Sequence, residues 1–176
     1  MAGKRIRMSD CILIGIDSST SNTGYSVYRN AILEKYGVIC TTDISDKDIK
    51  FETMCKKIIE LLDTYSPAIL VAELTTPTRN AVTQRQLTLI LGVIYGWCVS
   101  HDCECVFYRA FQWRHLVAEG NDIPRKREEL KQWAIDLIKN KYNTILQDDV
   151  AEAILIGQAR INECDRLLGK EQNGNN

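Results

Sequence analysis

The sequence predicts an α/β fold in which a mixed sheet of five strands, three antiparallel and then two parallel, is flanked by helices. Short apolar runs alternate with longer segments of helical periodicity along the 176 residues. The first three runs follow one another closely, as in an antiparallel meander, whereas a helical segment precedes each of the last two, as parallel strands require. The length and the 45% share of hydrophobic residues are those of a single globular domain.

Five apolar or β-rich runs predict the strands. The first run ends at Asp17 and leads into the turn-rich segment 18–24, which is typical of a buried strand that feeds a polar loop. Arg29 and Asn30 separate the second run from the third, and the fourth run ends at Glu73. The predicted strands cover residues 11–16, 25–28, 31–40, 68–72 and 105–108.

Helical periodicity predicts four helices between and after these strands. Apolar residues from Phe51 to Leu62 recur at helical spacing, and Pro67 ends that segment. The second helix is apolar on most sides toward its C-terminal half, which predicts that it is central or shared with a partner. The predicted helices cover residues 49–64, 80–98, 128–142 and 149–167.

Composition and charge limit the classes of function. The formal net charge of −1 excludes a generally basic nucleic-acid coat but permits a local basic surface beside an acidic pocket. Seven cysteines, mostly set singly in apolar stretches, indicate a reducing, cytoplasmic location. No segment has the length of a membrane span, so no membrane partner is expected. We expect one domain over residues 11–168, between a flexible N-terminus, residues 1–10, and a flexible tail, residues 169–176.

Two carboxylates end two of the predicted buried strands. Asp17 and Glu73 are each the first charged residue at the C-terminal end of a strand, where ligands gather in α/β sheets. If the two strands are parallel neighbours, the two carboxylates converge. Each also has a structural interpretation, because Asp17 could cap the following turn and Glu73 could pair with Arg79.

Two more carboxylates open the last predicted helix. Asp149 and Glu152 are three residues apart and therefore lie on one helical face. An acidic residue followed three positions later by Glu also resembles a capping box. The neighbouring residues are largely apolar, however, and two carboxylates at a buried helix start are costly without cations. Four converging acids favour a divalent metal.

The ligand chemistry favours Mg²⁺ or Mn²⁺ over Zn²⁺. The candidate ligands are all oxygen donors, and the only histidines, His101 and His115, lie outside the acidic motifs. Two such ions about 4 Å apart can activate a water molecule and stabilise the leaving oxygen of a phosphodiester. The sequence therefore predicts cleavage of a nucleic-acid backbone.

Three motifs in order resemble one known family. GIDSSTSNTGYSV (residues 15–27), ILVAE (69–73) and DDVAEAILIGQA (148–159) are similar to the acidic motifs of the RuvC-type Holliday junction resolvases, which belong to the ribonuclease H-like superfamily. The resemblance spans most of residues 11–160. It implies a ribonuclease H-like nuclease domain and two Mg²⁺ ions, or Mn²⁺, per active site. The implied metal-binding and catalytic residues are Asp17, Glu73, Asp149 and Glu152.

One of the four acids departs from the family pattern. The family usually has Asp where Glu152 stands, so that Asp148 could take its place. The resemblance also implies phosphate contacts at Arg114 and Lys126, and we expect Arg79 and Arg85 to contribute further DNA contacts. Basic residues interleave with aromatic ones around Arg114, which fits phosphate contact with some stacking. Phe111 and Trp113 are themselves expected in the core.

The resemblance implies a metal-dependent, structure-selective endonuclease that cleaves four-way and related branched DNA junctions. Symmetric resolution needs two cuts, so we expect a homodimer, whose shared surface would be the helix around residues 87–98. Two alternatives remain open: a ribonuclease H-like module that binds branched nucleic acid without cutting it, and a nuclease that acts on other structured DNA or RNA. The expected location is the cytoplasm of a bacterial or phage-infected cell.

Overall fold

The computed structural model describes residues 11–75 and 80–173, which form five strands and five helices. Residues 1–10, 76–79 and 174–176 lie outside the described residues. The strands are β1 (Ile12–Asp17), β2 (Asn22–Arg29), β3 (Ile32–Cys40), β4 (Ile69–Glu73) and β5 (Glu104–Tyr108). The helices are α1 (Lys47–Tyr65), α2 (Ala81–Ser100), α3 (Ala110–Val117), α4 (Arg127–Tyr142) and α5 (Asp148–Asn173).

The five strands form one mixed sheet in the order β3-β2-β1-β4-β5. Strands β1, β2 and β3 form an antiparallel meander, and β4 and β5 continue the sheet parallel to β1. The predicted fold class is therefore confirmed. The helices α1 and α2 connect the successive parallel strands, as the long crossovers between such strands require.

Two hydrophobic clusters lie on opposite faces of the sheet. Leu13 and Val71 point into the cluster that α3, α4 and α5 cover, whereas Ile14 and Leu70 point into the cluster that α1 and α2 cover. This alternation follows from the period of two residues in a strand. Burial on both faces explains why β1 and β4 are continuous apolar runs.

Helix α5 packs closely on β1 and β2 because small residues line the contact. A Cβ atom at Gly15 would lie 2.5 Å from the Ala153 carbonyl oxygen, so only glycine permits this approach. The Ser26 hydroxyl donates to the same carbonyl at 2.8 Å, and the Tyr28 hydroxyl donates to the Ile154 carbonyl at 2.7 Å. These contacts fix α5 across the sheet.

The structure corrects two expectations and extends a third. Helix α3 was not predicted; it has only eight residues and begins after Arg109, which is not a typical N-cap residue. Phe111 was expected in the core, but it is 56% exposed, whereas Trp113 is fully buried as expected. Helix α5 continues to Asn173, beyond its predicted end near residue 167. Within the described part of the chain, no helix is both long and apolar enough to span a membrane.

Candidate active site

Strand pairing brings Asp17 and Glu73 together. Strands β1 and β4 are parallel neighbours in which Ile16 lies beside Ala72, so the next residues, Asp17 and Glu73, end the two strands side by side. Hydrogen bonds within the turn after β1 are made by Ser19 and Thr23, with the Thr23 hydroxyl donating to the Ser19 carbonyl at 3.0 Å. Among the described residues, the turn is thus held by hydroxyl groups rather than by the Asp17 carboxylate.

Gly24 places the first turn of α5 over the end of β1. Gly24 is the antiparallel partner of Asp17, and a Cβ atom at Gly24 would overlap the backbone carbonyl of Asp149. The missing side chain therefore lets the backbone of α5 approach the strand pair directly. Asp149 and Glu152, one helical turn apart, face the edge of the sheet where Asp17 and Glu73 lie.

Two residues of α3 hold the glutamates of the site. The Trp113 indole N–H donates to Glu73 Oε2 at 2.6 Å, and Arg114 Nη2 donates to Glu152 Oε1 at 3.2 Å. The Arg114 guanidinium carbon also lies 4.8 Å from the centre of the Trp113 ring, a cation–π contact. Helix α3 thus orients one acid from the sheet and one from α5.

Asp148, the possible substitute for Glu152, has a partner of its own. Lys131 Nζ lies 2.6 Å from Asp148 Oδ2, and this contact lowers the pKa of Asp148. Asp148 is therefore a carboxylate whose charge is compensated. Burial and the neighbouring Asp148 raise the pKa of Asp149, so the charge of Asp149 is compensated less than that of Asp148.

The pKa values of the four candidate acids in the site are raised, because the acids are buried close to one another. Burial raises the pKa of Asp17 well above its usual value, and the charges of Glu152, Glu73, Asp149 and Asp148 raise it further. Burial also raises the pKa of Glu73 and of Glu152, although Trp113 and Arg114 oppose part of the effect. Five carboxylates thus lie near one another, and among the described residues Arg114 and Lys131 are the cations that ion-pair with them.

This donor set fits a divalent cation. Carboxylate oxygens are the ligands that Mg²⁺ and Mn²⁺ prefer, and added positive charge would relieve the repulsion that raises these pKa values. The described side chains do not form a ready-made group of three ligands. In the structure the carboxylate of Glu73 accepts from Trp113 and that of Glu152 from Arg114. A metal ion at these acids would compete with both contacts.

The predicted basic residues are distributed unequally around the site. Arg114 lies in it, with its side chain 17% exposed against Glu152. Lys126 is exposed and pairs with Glu129 at 3.0 Å, and Arg85 is exposed near the start of α2. Arg79 lies outside the described residues, so its possible pairing with Glu73 is not described either.

Sequence reasoning did not identify Trp113 as a site residue. It predicted a core position, and the ring is indeed fully buried, but its N–H reaches Glu73. Two facts together could have indicated its role. A buried tryptophan needs a hydrogen-bond partner for its N–H, and Trp113 is next to Arg114, a predicted site residue. Lys131 was not predicted as a site residue either, and its contact with Asp148 follows from the packing of α4 beside α5.

Comparisons with known proteins give matches among solved structures only. No protein-family model and no curated protein sequence matches the chain. RuvC of Thermus thermophilus superposes with a TM-score of 0.67 at 15% identity, over 88% of this chain and 96% of that one. The same protein in complex with Holliday junction substrate gives a TM-score of 0.66, with the same identity and coverage.

Two further resolvases have the same architecture. The Fowlpox virus resolvase, in complex with substrate Holliday junction DNA, matches with a TM-score of 0.58 at 15% identity, over 87% of this chain and 98% of that one. The yeast mitochondrial Holliday junction resolvase Ydc2 matches with a TM-score of 0.60 at 14% identity, over 90% of this chain and 80% of that one. The chain therefore has the ribonuclease H-like fold in the form found in RuvC-type Holliday junction resolvases, as its three sequence motifs predicted.

Proposed function

We propose that the chain is a metal-dependent endonuclease that cleaves four-way and related branched DNA junctions. The observation that supports this proposal is that four carboxylates from three elements, β1, β4 and α5, lie within electrostatic range of one another near one edge of the sheet. Two of the structures with this fold were determined with Holliday junction DNA. A cluster of like charges is expensive to keep unless cations bind there, which favours a functional rather than a structural role.

The four acids divide into two pairs with different supports. Asp17 and Asp149 come from backbone positions fixed by strand pairing and by the approach of α5 to Gly24. Glu73 and Glu152 are longer and are oriented by the side chains of α3. We assign all four as ligands of two Mg²⁺ or Mn²⁺ ions, which when bound supply the charge that activates water and stabilises a departing 3′ oxygen.

Arg114 has a second role in this proposal. Its guanidinium compensates Glu152 in the structure, and its Nε, which is buried, has no hydrogen-bond partner. If Glu152 held a metal ion, the Arg114 guanidinium would be available to bind a phosphate, for which its planar donors are well suited. Lys126 and Arg85, with Arg79, would hold more distant phosphates of the junction arms.

Cleavage of a labelled four-way junction tests the proposed function. We expect wild-type protein with Mg²⁺ or Mn²⁺ to cut the junction at or near the crossover, to leave a linear duplex of the same sequence intact, and to lose activity with EDTA. Binding without any cut would favour the non-cleaving alternative. Faster cutting of an RNA–DNA hybrid or a structured RNA would favour the other nuclease alternative.

We further propose that the chain acts as a homodimer through the outer face of α2. One face of this helix packs in the core, but Leu89, Tyr95 and Val99 on the other face are 51%, 54% and 65% exposed. Tyr95 and Val99 are about one helical turn apart, and Leu89 lies roughly 80° from Val99 around the helix axis, so the three form a broad apolar stripe on the outer face. One chain supplies one acidic site, so a two-fold pair would place the second site for the opposite strand.

Substitution of this stripe tests the dimer. We expect the wild type to scatter light as a dimer of two 20.0 kDa chains at micromolar concentration, and the double variant Leu89→Glu, Val99→Glu to be monomeric. Charged residues would oppose burial of the stripe but would be tolerated on a free surface. Ile32→Glu is the matched control, because Ile32 is 72% exposed on β3, at the other edge of the sheet. A wild type that stays at 20 kDa, even on junction DNA, would contradict the dimer.

The cysteines agree with a cytoplasmic location in a bacterial or phage-infected cell, which also stays a proposal. None of the seven forms a disulfide, and four of them are buried: Cys11, Cys55, Cys98 and Cys103. Buried cysteines that form no disulfide are typical of proteins in a reducing compartment.

A further inference from the structure

A cavity of about 700 Å³ opens beside the acidic site, between the end of β4 and helix α3. Its lining includes the apolar residues Leu74, Phe111, Ile123 and Pro124. It also includes the cationic side chains Arg109 and Arg114 and the imidazole of His115. None of the described residues that line it is acidic. The cavity is thus chemically distinct from the carboxylate cluster, although the two are adjacent.

The backbone explains why the cavity and the acids are adjacent. Glu73, in the acidic cluster, pairs with Tyr108, and the N–H of the next residue, Leu74, donates to the Tyr108 carbonyl at 2.8 Å. The chain after Tyr108 enters α3, so Leu74 and Phe111 both line the cavity. Arg114 belongs to both sites, since it lines the cavity and donates to Glu152. A phosphate held between Arg114 and the acids would place its attached nucleoside at the cavity mouth.

Phe111 is the residue that most needs an explanation. It is 56% exposed in a helix that otherwise buries its aromatic residue, Trp113, completely. Leu74, which lines the same cavity, is 37% exposed. An exposed aromatic ring, a second apolar side chain and cationic side chains in one cavity together suit a flat apolar group that is attached to an anion, which describes a nucleotide. The volume also lies within the range of sites that hold small organic ligands.

We infer that this cavity receives one unpaired nucleobase of a branched DNA, which stacks on Phe111 while its phosphate lies against Arg114. The inference rests on the proposed function, because it names the part of the substrate that this side of the site binds. The crossover of a branched DNA is where a base can leave its stack at low cost. The cavity would therefore favour branch points over continuous duplex, in which no base is free to enter.

Photocrosslinking tests this placement directly. 5-Iododeoxyuridine is placed at the crossover of a four-way junction, the complex is formed with Ca²⁺, which carboxylate oxygens also bind, in place of Mg²⁺, and the crosslinked peptide is identified by mass spectrometry. We expect the crosslink at Phe111, with none on a linear duplex that carries the same base. Phe111→Ala should remove the crosslink and weaken junction binding about tenfold, whereas Phe111→Trp should preserve both. Phe111 is exposed, so neither change should alter the circular dichroism spectrum.

Tyr36→Ala is the matched control, because Tyr36 is an exposed aromatic residue on β3, at the far edge of the sheet. It should leave both the crosslink and the affinity unchanged. If the wild type binds and cuts junctions but crosslinks elsewhere, or if Phe111→Ala binds like the wild type, this inference is wrong and the proposed function stands. If Phe111 is shielded by a second copy of the chain rather than by DNA, the inference is likewise wrong. If the wild type binds no branched DNA, both fail.

Discussion

Asp17→Asn is expected to reduce junction cleavage by about three orders of magnitude or more, while junction binding is retained. The amide has nearly the same volume as the carboxylate, but it removes the negative charge that lies among Glu73, Asp149 and Glu152. Junction binding should be retained, because arginine and lysine side chains away from Asp17 hold the DNA backbone. Gel-shift and cleavage assays on one labelled junction measure both quantities. Cleavage at a near wild-type rate would exclude Asp17 as a metal ligand.

The same substitution should stabilise the metal-free protein. Burial and neighbouring carboxylates raise the folded-state pKa of Asp17. A carboxyl group whose pKa is raised by folding contributes stability while it is protonated, below its unfolded-state pKa of about 3.9. That contribution is lost as the pH rises through the folded-state pKa and the group becomes charged. At pH 7.5 the amide should therefore be more stable by about 1 kcal/mol, or roughly 2–4 °C in Tm.

Thermal unfolding over a range of pH measures this effect. The gap between Asp17→Asn and the wild type should narrow as the pH falls through the raised pKa of Asp17, because the wild-type carboxyl then becomes protonated. Mg²⁺ should raise the Tm of the wild type more than that of the variant. Asp43→Asn is the control, since Asp43 is exposed in the loop after β3. A variant less stable than the wild type at neutral pH would show that Asp17 is a structural acid.

Gly24→Ala is expected to cost about 1–3 kcal/mol of stability and most of the cleavage activity. The new methyl group would overlap the Asp149 carbonyl, which is backbone and cannot rotate away. The first turn of α5 must then move from β1, and Asp149 and Glu152 move with it. This variant therefore tests whether the approach of α5 positions the acids. We expect denaturant unfolding at a lower midpoint and slower cleavage.

Gly92→Ala is the control for this change. Within one chain, a methyl group at Gly92, in the middle of α2, meets no atom within 4 Å, so the stability of the single subunit should change only through better helix propensity. Gly92 lies on the face of α2 proposed for the dimer, so both variants are compared with the wild type at the same oligomeric state. The control should be as stable as the wild type or slightly more stable. If Gly24→Ala also folds and cleaves normally, α5 has room to shift and its close approach does not determine the site.

The sequence was most informative where backbone pairing alone determines position. Asp17 and Glu73 each end an apolar run, and parallel pairing of the two runs is sufficient to bring them together. The side-chain contacts that orient the glutamates were harder to predict from the sequence. Whether Phe111 or Trp113 is the buried ring of α3 depends on the rotation of a short helix, which a sequence of eight residues with few polar positions does not specify. Their contacts also join residues about 40 positions apart, as Trp113 and Glu73 do.

The two ends of helix α5 also differ in how well the sequence predicted them. The start of α5 at Asp148 is close to its predicted start at 149, because acidic residues mark the first turn. Its end, at Asn173, lies in a polar segment whose composition suggested a flexible tail. The Lys131–Asp148 ion pair could not be predicted either, because it depends on the angle at which α4 crosses α5.

Manganese titration followed by electron paramagnetic resonance tests the central claim most directly, namely that Asp17, Glu73, Asp149 and Glu152 form one metal centre. The free Mn²⁺ signal reports how many ions the protein removes from solution. Measured with and without a junction, the wild type should bind two ions per chain, and both Asp17→Asn and Glu152→Gln should bind fewer, whereas Asp43→Asn should match the wild type. Equal binding by the wild type and Asp17→Asn, or no binding by the wild type even on a junction, would contradict the claim.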